Sequence, residues 1–322
     1  MTPFGTLPDG RIVHALTLRA GDLSATILTY GAFLQDLRLV GVDRSLTLGS
    51  DRLEDYLGTM AWFGSLVGPV ANRIGGASAV IDGVECRFPA NQGGKHTLHS
   101  GDASVCFKLW DVPHHGPDHA TLTLDLSDGE GGFPGNRRVT VRFSAHAPGT
   151  LRMDVTTTTD KTTLVNFTNH GYWNLDGTET WQGHSLRIAA DHYLPVDADL
   201  IPTGVVHPVE GTDMDFRQAR VFAPGNPPLD HNFCVAPERH ALTDVLWLTG
   251  TSGVTMTLAT TEPGVQVYDG RAATRVGRGK GEGLAIEPQG WPDAPHHAHF
   301  PSILLAAGES VTQSTEWRFS RG

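Results

Sequence analysis

Sulfur chemistry is scarce in this chain: its 322 residues include three cysteines, Cys86, Cys106 and Cys234. Their number is odd, they lie far apart, and no Cys-x-x-Cys pair occurs. A disulfide framework and a cysteine-built zinc site are therefore not expected. Basic residues are also in short supply. Against 35 Asp and Glu there are 24 Lys and Arg, for a formal charge of −11. Nucleic acid and anionic membrane surfaces both select a basic face, so neither is expected as a partner. No run of about 18 apolar residues exists, which excludes a helical membrane span. Residues 1–20 lack the apolar core of a secretory signal, and cytoplasm is the expected compartment. Helical periodicity is equally poor. Residues 51–57 and 213–220 offer one or two turns each, and no amphipathic helix of three turns is found. Nor does any linker-like run or internal repeat divide the chain.

Alternation of period two is abundant. Ala120, Leu122, Leu124 and Leu126 are interleaved with Thr121, Thr123 and Asp125. The same pattern recurs at Val139, Val141, Phe143 and Ala145, at Leu151, Met153 and Val155, and at Val254, Met256 and Leu258. Side chains alternate across a strand, so each run predicts a strand with one buried face. Asp82-Gly83, Asp128-Gly129, Pro148-Gly149, Pro263-Gly264 and Asp269-Gly270 supply turn chemistry between such runs. With 38 Gly and 20 Pro, the composition suits many short strands. The expected fold class is all-β, a large antiparallel β-sandwich occupying residues 1–322 as a single domain.

The most unusual stretch is Asn166-Phe167-Thr168-Asn169-His170-Gly171-Tyr172-Trp173-Asn174-Leu175. Amides, an imidazole and aromatic rings concentrated in this way suit a polar site walled by flat rings, as sugars require. Glu287, in Ala285-Ile286-Glu287-Pro288-Gln289-Gly290-Trp291-Pro292-Asp293, offers a carboxylate. Asn72-Arg73-Ile74, His96-Thr97-Leu98-His99-Ser100-Gly101 and Asp230-His231-Asn232 add donors and acceptors. Gln266 and Tyr268 stand two apart and project to one face of a strand.

Taken in order, these segments resemble the aldose 1-epimerase (galactose mutarotase) family nearly end to end, from Thr29-Tyr30-Gly31-Ala32 to the last strand. The resemblance implies a mutarotase-like supersandwich and the interconversion of α and β anomers of free aldoses. It further implies that His170 is the general acid at the ring oxygen and Glu287 the general base at the anomeric hydroxyl, with His99 beside the ring oxygen. Arg73, Asp230 and Gln266 would hold sugar hydroxyls, with Asn72 nearby. No metal and no cofactor are implied, and the expected partner is a monosaccharide bound by a monomer or homodimer. Departures from the family pattern fall at Pro69, Ser100, Gly171, Trp173 and Pro288, and they are expected to bear on substrate preference. Trp173 and Trp291 are candidates to cover the apolar face of the sugar ring.

The chemistry needs these residue types. Opening a hemiacetal removes a proton from a hydroxyl of high pKa and delivers one to a weakly basic ether oxygen, and each assisted transfer is worth roughly 10²–10⁴-fold. A carboxylate serves as base and a histidine as acid near neutral pH. Three other readings are carried forward: a glycoside hydrolase using Glu287 and Asp230 as a carboxylate pair, a non-catalytic sugar-binding protein, and a hexose-6-phosphate 1-epimerase, which would need a basic pocket rim. His96 is weighed evenly between a structural and a site role. His296, His297 and His299 are read as a solvated loop rather than a metal site.

Overall fold

The alternating runs become the long strands of a nine-stranded antiparallel sheet. Asp111–His115, His119–Leu126, Arg137–His146, Thr150–Thr159, Ser310–Arg321, Val254–Thr260, Thr243–Thr249, Ser185–Ile188 and Arg220–Val221 lie side by side in that order. A computed structural model describes all 322 residues of the chain. The last strand of the chain, Ser310–Arg321, inserts between Thr150–Thr159 and Val254–Thr260 and closes the middle of the sheet. One face of this sheet is apolar: Leu122, Val141, Phe143, Leu151, Met153, Val155, Met256, Leu258 and Trp317 all join the largest buried cluster. The other face carries threonines and charged pairs, such as Arg152 with Asp154.

A second, six-stranded sheet runs Tyr172–Trp173, Leu284–Gln289, Gly264–Tyr268, Asp230–Cys234, His192–Tyr193, His207–Pro208. Its register sorts the chemistry. Residues directly opposite in an antiparallel ladder share a face. Asp230 pairs with Tyr268, and Asn232 with Gln266. Gln266 in turn pairs with Glu287. These residues form consecutive rows on one face. The intervening rows, with Val267 beside Ile286 and Phe233 beside Val265, point into the main core. The strand Leu284–Gln289, second in this order, is buried along its whole length, so its polar side chains are enclosed by protein on the far side from the core.

Helix is nearly absent, as the sequence implies. Residues 51–57 do contain one short α-helix, Leu53–Tyr56. Residues 213–220 do not form the helix allowed for them. There the Thr212 hydroxyl accepts from the Met214 N–H at 3.1 Å and the Asp215 carboxylate from the Arg217 N–H at 3.2 Å. Such local side-chain bonds satisfy backbone donors that a helix would otherwise need, and they favour turns. No helix is long and apolar enough to cross a membrane.

Candidate active site

Two chain segments far apart in sequence are stitched together to build the centre of the site. Tyr172 and Trp173 pair with Ala285 and Leu284, and the Ile286 N–H donates to Gly171 O at 3.2 Å. Asn166 closes the other end: its amide nitrogen donates to Gly290 O, and its amide oxygen accepts from the Gly290 N–H. His170 and Glu287 are thereby brought face to face, with His170 Nε2 at 3.5 Å from Glu287 Oε1. Asn169 has a separate task. Its amide donates to Gly64 O at 2.7 Å, and Gly64 and Ser65 make backbone bonds with His170. The turn carrying Trp62 and Phe63 is fixed against the histidine in this way.

Around this pair lies a cavity of about 530 Å³, large enough for a monosaccharide, walled by Trp62, Asn72, Arg73, His99, Tyr172 and Asp230 among others. Arg73 and His99 arrive together on a two-strand pairing of Arg73–Ile74 with Thr97–Leu98. Beside it the Asn72 N–H donates to His99 Nδ1 at 3.1 Å, and the His99 N–H donates to Asn72 O at 2.8 Å. The first bond fixes the tautomer: Nδ1 keeps its lone pair, and Nε2 carries the proton as a donor. Asn72 and His99 both adopt left-handed backbone, at φ 59 and 53. Non-glycine residues rarely do so, and asparagine and histidine are among those that tolerate it best.

Arg73 is held on several sides. Its Nε donates to Gln92 Oε1 at 2.9 Å, and its Nη2 lies 3.6 Å from Asp230 Oδ2. The other Asp230 oxygen accepts from Gln266 Nε2 at 2.7 Å. Gln266 therefore orients Asp230, and the cavity wall is formed by the carboxylate and the guanidinium rather than by the amide itself.

Burial sets the electrostatics. Desolvation moves His170 down to about 4. It pushes Glu287 well above the ordinary carboxylate range, with the Asp230 charge adding to the rise and Arg73 opposing it. His99 is held well below its usual value by desolvation, then by His170 and Arg73. Desolvation thus favours the uncharged form of both His170 and Glu287, and the pair carries one proton between them over a wide pH range. His170 Nδ1 and Glu287 Oε2 are buried with no protein partner. Such groups are costly in a folding core and useful in a binding site.

His99, His170 and Glu287 each offer an atom within 4.8 Å of the others, the spacing of a three-ligand metal centre. The donor set does not suit a cation. A neutral imidazole bonded as His99 is presents an N–H rather than a lone pair, and the Arg73 guanidinium shares the cavity.

Trp173 is placed elsewhere than expected. It is fully buried in the main core, its ring near Trp317 and Phe319 at 6.0 and 5.6 Å, and it covers no part of the cavity. The reason is strand alternation: Tyr172 faces the site, so its neighbour faces the core. Trp291 also lies in a buried cluster, donating its indole N–H to Pro263 O. Gly171 is confined by packing, since a Cβ there would meet Asn169 Oδ1 at 3.0 Å and the Trp173 ring at 3.2 Å. Neither Gly171 nor Trp173 lines the cavity. Ser100 is likewise structural, with its hydroxyl accepting from the Val70 N–H and donating to Val70 O.

The aromatic face at the site belongs to Trp62, whose ring is 4.8 Å from His99 and 6.5 Å from His170. Tyr172 stacks 5.2 Å from His170 and is backed by Phe63 at 4.3 Å. Trp62 escaped the sequence reading because it lies in a turn without periodicity; the adjacent pair Trp62-Phe63 before a glycine was its only signal. His96 takes a structural place, accepting from the Gly76 N–H and facing Asp199. The His296 to His299 loop is largely exposed to solvent, as expected, and is tethered at two points. His296 lies 2.7 Å from the buried Asp293 carboxylate, which also accepts from the Gly75 N–H, and His299 bonds to Gly204 O. A second cavity, of about 410 Å³, is lined by one residue of the motif stretch, Asn174, and by none of the candidate site residues. Its guanidinia are already engaged, Arg275 on Glu282 and Gly49 O, and Arg44 on Leu175 O.

Comparison with known proteins identifies the family and the fold. The family model for aldose 1-epimerase matches residues 14–318. A galactose mutarotase from Rattus norvegicus is 36% identical, with 99% of this chain and 98% of that protein aligned. An aldose 1-epimerase from Escherichia coli is 32% identical over 97% of this chain and 96% of its own length. Among solved structures, an aldose epimerase homologue from C. elegans superposes with a TM-score of 0.88 at 28% identity, covering 96% of this chain and 99% of that one. A galactose 1-epimerase from Lactobacillus acidophilus, at 24% identity, shares the fold with a TM-score of 0.85, covering 100% of this chain and 98% of its own.

Proposed function

The chain belongs to the aldose 1-epimerase family, and on that premise we propose that it interconverts the α and β anomers of free aldoses through the His170–Glu287 pair. The observation that carries this reading is the buried pair itself. Its 3.5 Å approach, its unpartnered atoms and the enclosing sugar-sized cavity supply one proton and two sites for it. With the proton on His170, Glu287 accepts the proton of the anomeric hydroxyl, the bond between C1 and the ring oxygen breaks, and His170 protonates that oxygen. The open aldehyde rotates about C1–C2, the ring closes on the other face, and the two transfers run in reverse. No electrons leave the sugar and no covalent intermediate forms. His99, with its Nε2–H, donates to the ring oxygen as charge develops there.

Arg73 and Asp230 hold the remaining hydroxyls, with Gln266 and Asn72 positioning them. Trp62 takes the role first considered for Trp173, covering C–H groups of the ring. The hydrolase reading loses its second carboxylate, because Asp230 is engaged by Gln266 and faces Arg73. Release of nitrophenol from aryl galactosides and glucosides is therefore expected to be nil.

The test is a panel of freshly dissolved single-anomer sugars, with galactose first in view of the relatives' names, followed by polarimetry or NMR exchange. Catalysed equilibration of at least one free aldose is the expected result. Tight binding of the sugars without acceleration would point instead to a non-catalytic binding protein.

A further inference from the structure

The charged pair in the cavity wall is held open. Arg73 Nη2 and Asp230 Oδ2 stand 3.6 Å apart, beyond the reach of about 3.2 Å for an N–H···O bond. Both side chains are largely buried, so little water screens their attraction. An unrestrained guanidinium and carboxylate so placed would close into a two-bond fork. Here each is held from behind by a neutral amide. Gln266 Nε2 donates to Asp230 Oδ1 at 2.7 Å, and Gln92 Oε1 accepts from Arg73 Nε at 2.9 Å. The bond to Gln92 is the one hydrogen bond that the Arg73 side chain makes to protein. A guanidinium is planar, so fixing the direction of its Nε–H also fixes the direction of its two Nη groups.

Gln92 is itself firmly placed. Its carbonyl oxygen accepts from the N–H groups of Lys95 and His96, both at 3.1 Å, and its N–H donates to His96 O at 3.0 Å. Within that turn Gly93 and Gly94 are both left-handed, at φ 61 and 67, which glycine adopts without strain. The neighbouring Asn91 side chain clamps Leu98, accepting from its N–H at 2.8 Å and donating to its O at 3.0 Å. Leu98 pairs directly with Arg73, so the turn carrying Gln92 and the strand carrying Arg73 form one unit. On its other side the Gln92 amide nitrogen donates to Asp199 O at 3.2 Å. Asp199 belongs to a turn, residues 197–201, stiffened by the Asp197 carboxylate, which accepts from the N–H groups of Asp199 and Ile201. The same turn brings Leu200 to the cavity wall. With its nitrogen engaged on Asp199, the Gln92 amide turns its oxygen to Arg73. Gln92 lines no part of the cavity.

Resting on the mutarotase reading, we infer that Gln92 is a positioning residue of this site: it draws the Arg73 guanidinium back from Asp230 and leaves the Nη donors to sugar hydroxyls. Without it the guanidinium closes onto Asp230, and a sugar has to open that ion pair before its hydroxyls are held. His170 and Glu287 are untouched by the change, so the loss falls on binding more than on the chemical step.

Gln92→Met removes the acceptor at nearly constant length. Gln92→Glu keeps an oxygen for Arg73 Nε and has no donor for Asp199 O. Anomer exchange is measured for both, with galactose or whichever aldose the wild type accelerates most. Gln92→Met is expected to raise KM roughly tenfold, as the loss of a hydrogen bond to a charged group does, while kcat falls by less than about threefold. Gln92→Glu is expected to stay within about threefold of the wild-type KM. In an Arg73→Lys background, where no Nε–H remains, Gln92→Met is expected to change KM by less than about twofold. Melting curves verify that the variants are folded, and Gln92→Leu replaces Gln92→Met if that variant is not. A glutamine that merely tethers the 197–201 turn would give equal losses in Gln92→Met and Gln92→Glu, or the same loss with Arg73 and with Lys in its place. Either result, or an unchanged KM in folded Gln92→Met, overturns this inference alone. Failure of wild type to accelerate any aldose overturns the mutarotase reading and this inference with it.

Discussion

The nine-stranded and six-stranded sheets are built from the same alternating pattern, yet they treat their polar faces in opposite ways. On the larger sheet, polar residues such as Thr156, Thr312 and Arg138 stay in contact with solvent. On the smaller sheet, Asn232, Gln266 and Glu287 lie in one cross-strand row and are almost fully enclosed. A solvated polar face costs little and contributes little. An enclosed one leaves Glu287 and His170 desolvated and incompletely bonded, which costs stability and supplies reactivity. The comparison separates what the fold uses for solubility from what it reserves for chemistry.

The largest effects are expected where the enclosed face carries the proton. Glu287→Gln and His170→Asn should each lower kcat by roughly 10²–10⁴-fold, and the double variant should lose little more than the worse single, since the two act as a unit. Fully additive losses, measured by anomer exchange, would break the pairing. Next in size is Arg73→Lys, which keeps the charge but loses the planar contacts to Gln92 and Asp230. A rise in KM of roughly 10–100-fold, the worth of charged hydrogen bonds, is expected with a smaller change in kcat.

Two tryptophans sharpen the contrast further. Trp173→Ala should cost about 3–5 kcal/mol of stability in denaturant titrations, as a large core deletion does. Trp62→Ala should raise KM and barely move the melting curve. The reverse assignment of effects would place the ring platform on Trp173 after all. A smaller effect concerns stability against pH. The folded-state pKa of Glu287 is raised, so its stabilising contribution is complete below the unfolded carboxylate value and is lost as pH rises through the folded one. Glu287→Gln should therefore gain melting temperature over wild type at pH 8 and show little gain at pH 4. Smallest of all, Thr156→Ala on the solvated face should change stability by no more than about 0.5 kcal/mol.

Much of this contrast was legible in the sequence, though not all of it. Alternation over 120–126, 139–146, 151–156 and 254–258 identified four of the long strands, because one buried face per strand leaves a period of two. It did not say which polar faces would be covered, since coverage depends on what packs across the sheet. Motif order named Asn72, Arg73, His99, His170, Asp230, Gln266 and Glu287, and the fold gathers them around one cavity. It misassigned Trp173, because aromatic type says nothing about which side of a strand a ring takes; only its register beside Tyr172 decides that. Trp62, Gln92 and Leu200 were not singled out at all. They sit in turns whose sequence has no period, and their positions follow from long-range contacts such as Asn169 with Gly64 and Gln92 with Asp199.

The central claim is that one proton shared by His170 and Glu287, in an enclosed pocket, does the work. The pH profile of kcat/KM for anomer exchange by the wild-type protein tests this most directly, because it reports the ionisations of the free enzyme. The account predicts a broad plateau. Activity rises as the doubly protonated pair loses its first proton with an apparent pKa of about 4, and falls only when Glu287, raised well above ordinary carboxylates, gives up the last one. A profile governed by one titration near the usual histidine value, or activity that persists after the last proton is lost, would contradict it.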